Sequence, residues 1–336
     1  MNIIIPMAGR GTRLRPHTIT VPKPLVPVAG KPIVQRLVED IVQTLQTKVD
    51  NIGFVIGDFG AETEQHLIEV AEAAGAKGHI FYQDQPLGTA HAILCAAELL
   101  RGKTVVAFAD TLFKANFHID ANADGIIWTH RVADPSKYGV VKLNEKNIIT
   151  EFVEKPSTFV SDMAIIGIYY FKDGDYLLNE LQYLLDNDIK DKGEYQLTSA
   201  LENMKQKDSQ FTIASVEEWL DCGNKEMTVY TNQRILEFCA DRQENLVAKG
   251  VILENSLIVP PCFIDSGVVL RNSVVGPHVS IGKNTHITNS VVRNSIIQNN
   301  NHISNKVLQD SMIGSHTNIR GKASDYSLGD YSTVEA

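Results

Sequence analysis

Cysteine is scarce in this sequence, and long hydrophobic runs are missing from it. The four cysteines, Cys95, Cys222, Cys239 and Cys262, lie far apart, and no two of them form a CxxC pair. We therefore expect neither a zinc site nor a disulfide framework, and interpret the cysteines as reduced and structural. No apolar run approaches the roughly 20 residues that cross a bilayer, and the N-terminal residues do not resemble a signal peptide. We expect no membrane partner and a cytoplasmic location.

Positive charge is also in deficit. Lysine and arginine total 31, against 40 aspartates and glutamates, which gives a formal net charge of −9. Nucleic acids and anionic membranes bind to extended basic surfaces, so neither is an expected partner. Small phosphorylated substrates need only a few cations placed locally. The 336 residues, 43% hydrophobic and 21% charged, are typical of a globular protein with two domains.

The first part of the sequence alternates short apolar runs with helical patterns. The strand-like segments are Asn2 to Ile5, Ile52 to Ile56, His79 to Tyr82 and Val105 to Ala109, and the helical ones are Ile33 to Leu45 and Gly88 to Leu100. Further strand-like segments are Gly125 to Arg131, Gly139 to Leu143 and Ala164 to Phe171, followed by a helical stretch from Asn224 to Cys239. This order predicts an α/β fold with a mixed, mainly parallel sheet, in which ligands bind beyond the carboxyl ends of the strands.

From about Val247 the pattern changes to branched apolar residues separated by Gly, Asn, Ser and His. The apolar positions Ile252, Ile258, Ile264 and Leu270 recur every six residues, and Ile281, Ile287, Ile303 and Ile319 continue with occasional shorter steps. Asn-Ser pairs at 255, 272 and 289 repeat every 17 residues. A six-residue period within such a repeat predicts a triangular parallel β-helix, whereas a β-sandwich would show period-two alternation. We place the domains at 1–240 and 246–336, and interpret the second as a left-handed β-helix.

A glycine-rich loop follows the first strand. It reads Ala8-Gly9-Arg10-Gly11-Thr12-Arg13-Leu14-Arg15-Pro16 and leads to Val21-Pro22-Lys23-Pro24-Leu25-Val26-Pro27-Val28-Ala29-Gly30-Lys31-Pro32. Glycines after a strand let backbone N–H groups approach a polyphosphate, and Arg13 and Lys23 can offset its charge. The loop is not a P-loop, because GxxxxGK[ST] is absent. It is not a complete dinucleotide fingerprint either, because Leu14 stands where GxGxxG requires glycine.

The segment from Gly9 to Ile33 resembles the signature of the nucleoside-diphosphate-sugar pyrophosphorylases, GxGTRLxPxTxxxPKPLxPVxxKPI. The signature usually has Leu-Ala-Gly or Leu-Ala-Ala just upstream, where this sequence has Pro6, Met7 and Ala8. We expect this difference to affect the packing around the base of a bound nucleotide. The resemblance implies a Rossmann-like catalytic domain. It also implies a sugar-1-phosphate nucleotidylyltransferase, which joins a nucleoside triphosphate to a sugar 1-phosphate and releases pyrophosphate.

The same resemblance implies a set of nucleotide-binding residues. They are Ala8, Gly9, Gly11, Thr12, Arg13, Lys23, Gln83, Gly88 and Thr89. Gln83, with Gly88-Thr89-Ala90 after it, is similar to the segment of the family in which a side-chain amide and a glycine backbone face the base. Taken alone, Gln83 would be a solvated loop residue, and its distance from the Gly-Thr-Ala helix start favours the binding role.

Two aspartates resemble the metal ligands of the family. Asp110 closes the strand-like segment Val105 to Ala109, where a carboxylate is well placed to hold Mg²⁺ on a triphosphate. The alternative interpretation of Asp110 is a helix N-cap or loop residue. Asp221, in Trp219-Leu220-Asp221-Cys222-Gly223, is similar to the second metal carboxylate. Together they would hold one Mg²⁺ between the α-phosphate and the sugar phosphate.

The resemblance also implies a sugar-phosphate site. Its residues are Tyr138, Gly139, Glu154, Lys155, Gly167 and Glu194. Lys155 would bind the phosphate. The sugar hydroxyls would bind to Glu154, Glu194 and the backbones of Gly139 and Gly167. Glu154-Lys155 could instead be an exposed ion pair. No protein nucleophile is implied. Catalysis would come from positioning and charge neutralisation by Arg13, Lys23 and Lys155, with Mg²⁺ on Asp110 and Asp221.

The second domain leaves more than one function open. Left-handed β-helices also occur in acyltransferases with a histidine base, and His278, His286, His302 and His316 are candidates for that role. The segment has few coils, so we favour assembly or regulation and expect a homo-oligomer, either a dimer or a tetramer. A non-catalytic regulatory relative is a further alternative, but the cations and carboxylates of the implied site are all present.

The order of the domains and the ending Leu328-Gly329-Asp330-Tyr331-Ser332 look most like the long-chain glucose-1-phosphate thymidylyltransferases. The expected substrates are therefore dTTP or UTP with glucose 1-phosphate. GDP-mannose and other NDP-sugar enzymes share the core signature, and one hydrogen-bonding residue can change the choice of base.

Overall fold

A computed structural model describes residues 1–9, 11–45, 47–115, 123–322 and 327–334. Residue contacts divide the chain into two units. The first comprises Met1–Pro27 and Lys31–Thr231, and the second Val28–Gly30 and Asn232–Ala336. Within the described ranges, no helix combines the length and the apolar character that a membrane crossing requires.

The first unit contains a nine-stranded sheet and helices that cover it. The strands of the first part of the chain are β1 (Asn2–Pro6), β2 (Pro27–Val28), β3 (Lys31–Pro32), β4 (Asn51–Ile56), β5 (Lys77–Tyr82), β6 (Thr104–Ala107), β7 (Thr111–Lys114), β8 (Gly125–Arg131), β9 (Gly139–Leu143), β10 (Ile149–Glu154), β11 (Met163–Phe171), β12 (Phe211–Ser215) and β13 (Glu218–Asp221). The helices are α1 (Ile33–Leu45), α2 (Ala61–Ala73), α3 (Thr89–Leu94), α4 (Gly174–Asp186), α5 (Leu197–Gln206) and α6 (Lys225–Asp241). Helix α6 continues from the first unit into the second.

The sheet has a parallel centre and antiparallel additions. Strand β1 lies between β4 and β6 and is parallel to both, and β5 extends the parallel part beyond β4. Strand β11 pairs antiparallel with β6, β8 and β9. Ile3, Ile4 and Ile5 of β1 are fully buried, as expected for a parallel strand that is covered on both faces. The predicted α/β fold with a mixed sheet is confirmed.

One predicted helix is shorter than the sequence pattern suggested. The Ala-rich segment Gly88 to Leu100 forms an α-helix only over Thr89–Leu94, and a separate 3₁₀ turn spans Ala97–Leu99. Beyond Cys95 the backbone bonds tighten to i→i+3, as in the bond from Leu100 N to Ala97 O. Leu99 and Leu100 are both buried there, so tertiary packing has overridden the helical propensity.

A two-stranded ribbon brings two distant segments of the first unit together. Strands β7 and β13 pair antiparallel, with Thr111 opposite Asp221. The N–H of Cys222 then donates to the carbonyl of Asp110 at 3.1 Å. Asp110 lies in the turn between β6 and β7, not at the end of a strand running to Ala109 as the sequence suggested, since β6 ends at Ala107.

In the described residues of the second unit, thirteen short strands form three parallel sheets. They are β14 (Ile252–Glu254), β15 (Leu257–Ile258), β16 (Cys262–Ile264), β17 (Val269–Arg271), β18 (Val274–Val275), β19 (Val279–Ile281), β20 (His286–Thr288), β21 (Val291–Val292), β22 (Ile296–Ile297), β23 (His302–Ser304), β24 (Val307–Leu308), β25 (Met312–Ile313) and β26 (Asn318–Arg320). Each strand from β14 to β23 pairs parallel with the strand three positions later in the chain, as β14 does with β17. The three sheets form the predicted triangular β-helix.

A ladder of asparagines forms one corner of the β-helix. Asn255, Asn272, Asn289 and Asn305 all have a positive φ, which asparagine tolerates better than most residues. Their side chains form a chain of hydrogen bonds, each amide donating to the carbonyl oxygen one coil along, at 2.9 to 3.1 Å. The Asn-Ser repeat seen in the sequence is therefore a turn repeat.

In the sheet formed by β14, β17, β20, β23 and β26, the column of aligned residues begins one residue later than the sequence pattern predicted. Leu253, not Ile252, stands opposite the buried Leu270, and the column continues through Ile287 and Ile303. The prediction for Ile252 was wrong because the step across the Asn corner is five residues, as from Leu270 to the buried Val275. Six-residue steps occur at the other two corners, as from Val275 to Ile281 and from Ile281 to Ile287.

Shortening an inward side chain of the β-helix should destabilise the second unit. Ile287 is fully buried, so Ile287→Ala is expected to lower the free energy of unfolding by about 2–5 kcal/mol. Val307→Ala removes methyl groups from an outward position that is 79% exposed, and should cost little. Scanning calorimetry of both variants provides the comparison, and equal transition temperatures would contradict the inward column.

Candidate active site

A cavity of about 400 Å³ lies at the carboxyl end of β1 in the first unit. All nine residues that the sequence predicted for nucleotide binding line it, namely Ala8, Gly9, Gly11, Thr12, Arg13, Lys23, Gln83, Gly88 and Thr89. Arg10, within the same loop, lies outside the described residues. The position beyond a parallel strand is the one that α/β sheets use for ligands.

Close packing holds the glycine-rich loop against the segment that carries Lys23. Gly11 has a φ of +56°, and a Cβ at this position would lie 2.7 Å from the Cβ of Lys23. The hydroxyl of Thr18 donates to Gly11 O at 2.7 Å. A side chain at residue 11 would therefore push the loop away from the lysine.

Lys23 is a buried cation at the wall of this cavity. Its side chain is 8% exposed, and its Nζ lies 2.9 Å from Oδ2 of Asp110, which is 44% exposed. A buried ammonium requires a partner of opposite charge. The Asp110 carboxylate supplies it and still reaches the cavity.

Asp221, the last residue of β13, lies near Asp110. Burial raises the pKa of Asp221, and the negative charge of Asp110 raises it further, while Lys23 and Arg13 oppose the shift. Two neighbouring carboxylates repel each other, and a divalent cation between them would remove the repulsion. In the described parts of the chain no group of three or more His, Cys, Asp or Glu could hold a metal ion. The carboxylates of Asp110 and Asp221 nevertheless fit Mg²⁺, which one or two carboxylates commonly bind together with other oxygen ligands.

A second cavity, of about 250 Å³, adjoins the first within the same unit. It contains all six residues predicted for the sugar phosphate: Tyr138, Gly139, Glu154, Lys155, Gly167 and Glu194. Both cavities are lined by Arg13, Thr89, Phe108, Asp110 and Glu194. A molecule in one cavity therefore meets a molecule in the other beside Arg13 and Asp110.

The structure adds polar residues to the second cavity that the sequence analysis missed. Gln196 is buried, accepts a hydrogen bond from the Thr89 hydroxyl at 3.1 Å, and donates to Glu194 at 3.0 Å. The hydroxyl of Thr198 donates to Glu154 Oε2 at 3.3 Å. These bonds orient the two glutamates towards the cavity. No motif in the sequence identified Gln196 or Thr198.

The Glu154-Lys155 pair is only partly the exposed ion pair that the sequence left open. Lys155 Nζ lies 3.4 Å from Glu154 Oε1, and the glutamate side chain is mostly buried while that of Lys155 is half-exposed. Lys155 has a φ of +43°, and Lys192 donates to its carbonyl oxygen. The turn is fixed at its backbone, and the Lys155 ammonium lies beside Glu154 at the lining of the cavity.

An aromatic contact closes one side of the second cavity. The rings of Tyr138 and Trp219 meet edge to face at 4.9 Å, and both residues line the cavity. The two rings give this side of the cavity an apolar surface. Cys222, which follows Asp221 at the end of β13, is fully buried, and burial raises the pKa of its thiol to about 12.

The four histidines considered for acyl transfer lie in the second unit. His286 and His302 stand on adjacent coils, with their rings 4.9 Å apart. His278 Nε2 lies 3.0 Å from Glu237, and His316 lies 3.4 Å from Asn300. The acyltransferase interpretation stays a prediction for these residues.

Comparison with known proteins identifies relatives over about three quarters of the chain. The bifunctional protein GlmU of Methanococcus vannielii is 29% identical over 265 residues, which cover 77% of this chain and 61% of GlmU. The low-salt glycan biosynthesis nucleotidyltransferase Agl11 of Haloferax volcanii is 27% identical over 267 residues, covering 77% of this chain and 71% of Agl11. This chain thus matches less than two thirds of the length of GlmU.

A solved structure and a family model extend the comparison. The structure of UDP-glucose pyrophosphorylase complexed with UDP-glucose matches with a TM-score of 0.57 at 24% identity, covering 70% of this chain and 98% of that one, which shows a shared fold. A family model described as nucleotidyl transferase matches residues 2–237, which contain every residue of both cavities. The chain belongs to the nucleotidyl transferase family.

Proposed function

We propose that this protein is a sugar-1-phosphate nucleotidylyltransferase, which makes an NDP-sugar and pyrophosphate from a nucleoside triphosphate and a hexose 1-phosphate. The observation that carries the proposal is the pair of adjoining cavities that share Arg13 and Asp110. Two phosphorylated substrates bound side by side would bring the α-phosphorus of one next to a phosphate oxygen of the other. Holding two reactants in this way accounts for much of the rate of such reactions.

The proposed reaction is a single displacement. An oxygen of the sugar phosphate attacks the α-phosphorus in line, the bond from that phosphorus to the bridging oxygen breaks, and pyrophosphate leaves. Arg13 and Lys23 supply positive charge beside the triphosphate, and Lys155 supplies it beside the sugar phosphate. Fixed cations that meet developing negative charge lower the barrier without a covalent intermediate.

Asp110 and Asp221 would hold Mg²⁺ in this proposal. When bound, the ion would neutralise charge on the phosphate oxygens of both substrates. The chain's own contribution is to hold the two carboxylates together through the β7–β13 ribbon, where Cys222 N donates to Asp110 O. Lys23 also limits the orientation of the Asp110 carboxylate.

We further propose glucose 1-phosphate with dTTP or UTP as the substrate pair. Glu154 and Glu194, oriented by Thr198 and Gln196, offer acceptors for the hydroxyls of a hexose. The shared fold with a structure that contains UDP-glucose supports a uridine-type or thymidine-type nucleotide. The presence of the cations and both carboxylates favours an enzyme over a non-catalytic regulatory relative.

The test is pyrophosphate release from the purified full chain with Mg²⁺. Each of dTTP, UTP, GTP, CTP and ATP is paired with the 1-phosphates of glucose, mannose, galactose and N-acetylglucosamine. We expect release that requires both substrates and is fastest with dTTP or UTP and glucose 1-phosphate. Acetyl-coenzyme A with a sugar phosphate tests the acyltransferase alternative in parallel. Release that proceeds without any sugar phosphate would show hydrolysis instead of transfer and would reject the proposal.

A further inference from the structure

Gln83 is held firmly at the edge of the nucleotide cavity. It follows β5, and its main-chain N–H donates to Ile56 O, at the end of β4, at 2.8 Å. Its side chain is half-buried and lines the cavity. Only the side-chain amide therefore has freedom to choose which of its two ends faces a ligand.

The carbonyl group of Gly88 determines the orientation of this amide. Gln83 Nε2 donates to Gly88 O at 3.2 Å. Because a carbonyl oxygen can only accept, a flipped amide would place two oxygens against each other. The nitrogen end is therefore the end that points to Gly88.

Gly88 itself cannot move to accommodate a flip. Its φ is +120°, and a Cβ there would lie 2.4 Å from Tyr195 O, so the backbone is packed directly against another segment. Its carbonyl oxygen also accepts from Ala92 N at 3.1 Å. The acceptor that orients Gln83 is thus part of a fixed helix start.

His91 accepts a hydrogen bond from the second hydrogen of the same amide nitrogen. Its Nδ1 lies 3.1 Å from Gln83 Nε2, one helical turn after Gly88. Nδ1 must accept this hydrogen bond, so the imidazole is neutral and carries its proton on Nε2. Burial lowers the pKa of His91, which favours the neutral form. His91 is not among the residues that line either cavity.

The outcome is an amide that presents only an acceptor to the nucleotide. Both Nε2 hydrogens are engaged, and among the described residues none donates a hydrogen bond to Gln83 Oε1. An acceptor pairs with the imino N–H that uracil and thymine carry at N3 and guanine carries at N1. Cytosine and adenine have a lone pair at the corresponding ring nitrogen, which would face the oxygen unpaired.

We infer that His91 is a positioning residue that locks Gln83 as an acceptor and so restricts the enzyme to nucleotides whose base carries an imino N–H. This inference rests on the proposed function, and it specifies the class of nucleotide that the site takes. His91 is the second of two contacts that hold the amide nitrogen, and without it only the bond to Gly88 O would oppose a rotated amide that offers an N–H to cytosine or adenine. Discrimination of this kind depends on leaving a buried polar group unpaired with the wrong ligand.

The test compares His91→Leu, which removes the acceptor, with His91→Asn, whose side-chain oxygen can accept at the same place. The measured quantity is the ratio of kcat/KM for the best of UTP, dTTP and GTP to that for CTP and for ATP. We expect a wild-type ratio of about 10²-fold or more, reduced about tenfold in His91→Leu and largely restored in His91→Asn. The change should appear in KM for the nucleotide, with kcat for the best substrate nearly unchanged.

Two measurements keep the inference separate from the proposed function. His66→Leu, on α2 of the first unit and outside the linings of both cavities, is the matched control and should leave the ratio unchanged. Calorimetric binding of the five nucleotides to the same proteins gives the same selectivity without turnover. Equal use or binding of CTP or ATP by the wild type would overturn the inference, as would an unchanged ratio in a folded His91→Leu. Absence of pyrophosphate release, with selective binding retained, would reject only the proposed reaction.

Discussion

Replacement of Asp110 by asparagine is expected to lower kcat/KM for pyrophosphate release by about 10³-fold, because the change removes a negative ligand where two phosphate groups would meet. Asp110 is the only carboxylate that lines both cavities besides Glu194, among the residues that the structure describes. Its main-chain oxygen still accepts from Cys222 N in the variant, so the β7–β13 ribbon should persist. The loss should be accompanied by a higher Mg²⁺ concentration for half-maximal rate.

A carboxylate remote from both cavities provides the control for this experiment. Asp186 lies exposed at the end of α4 and accepts a hydrogen bond from Gln182. Asp186→Asn makes the same chemical change and should leave the rate and its Mg²⁺ dependence unaltered. An Asp110→Asn enzyme that retained most of its activity would show that the carboxylate serves only as a loop residue, as one interpretation of the sequence allowed.

Replacement of Lys23 by methionine should reduce kcat/KM by about 10²- to 10³-fold, mainly through weaker binding of the triphosphate and of its transition state. Methionine is similar in length but carries no charge, so it fills the space while it removes the cation. The side chain is almost fully buried at the cavity wall, and its only ion pair among the described residues is with Asp110. Without it, the negative charges of Asp110 and Asp221 would repel the incoming phosphates.

The matched variant is Lys31→Met. Lys31 also pairs with a carboxylate, Glu39, at 2.7 Å, but both side chains are about half-exposed and neither lines the cavities. Exposed pairs of this kind contribute little, so the activity should stay within about threefold of the wild type. Circular dichroism spectra of both variants establish that they fold. Similar activity in Lys23→Met and Lys31→Met would contradict the proposed role of the buried cation.

Much of the fold was predictable because its signals are local and periodic. Helix α1 has the bounds that its apolar stripe predicted, Ile33 to Leu45, and the Asn-Ser repeat correctly indicated a β-helix. The errors arose where tertiary packing decides. The helix after Gly88 ends at Leu94 so that Leu99 and Leu100 can be buried, and the Asn corner shortens one step of the β-helix to five residues.

The residues of the candidate site also fall into those that the sequence predicted and those that it did not. Arg13, Lys23 and their glycines lie in one continuous motif, which made them recognisable from the sequence. Gln196 and Thr198 belong to no such motif, because only folding brings them to the site. Leu197, between them, shows this: its N–H donates to the hydroxyl of Thr89, which is 108 residues away in the sequence. The partnership of Gln83 with His91 was missed for a different reason. It concerns the direction in which an amide points, which residue identity alone does not determine.

The buried thiol of Cys222 can be used to measure how the chain unfolds. Burial raises the pKa of Cys222 to about 12 and that of Cys262, on β16, to about 11, so both sulfurs are protonated and shielded in the folded protein. Cys222 lies in the first unit and Cys262 in the second, so each unit has a buried thiol that reacts only when the unit opens. Mass spectrometry of timed alkylation would therefore reveal which unit opens first and how often, with no introduced label.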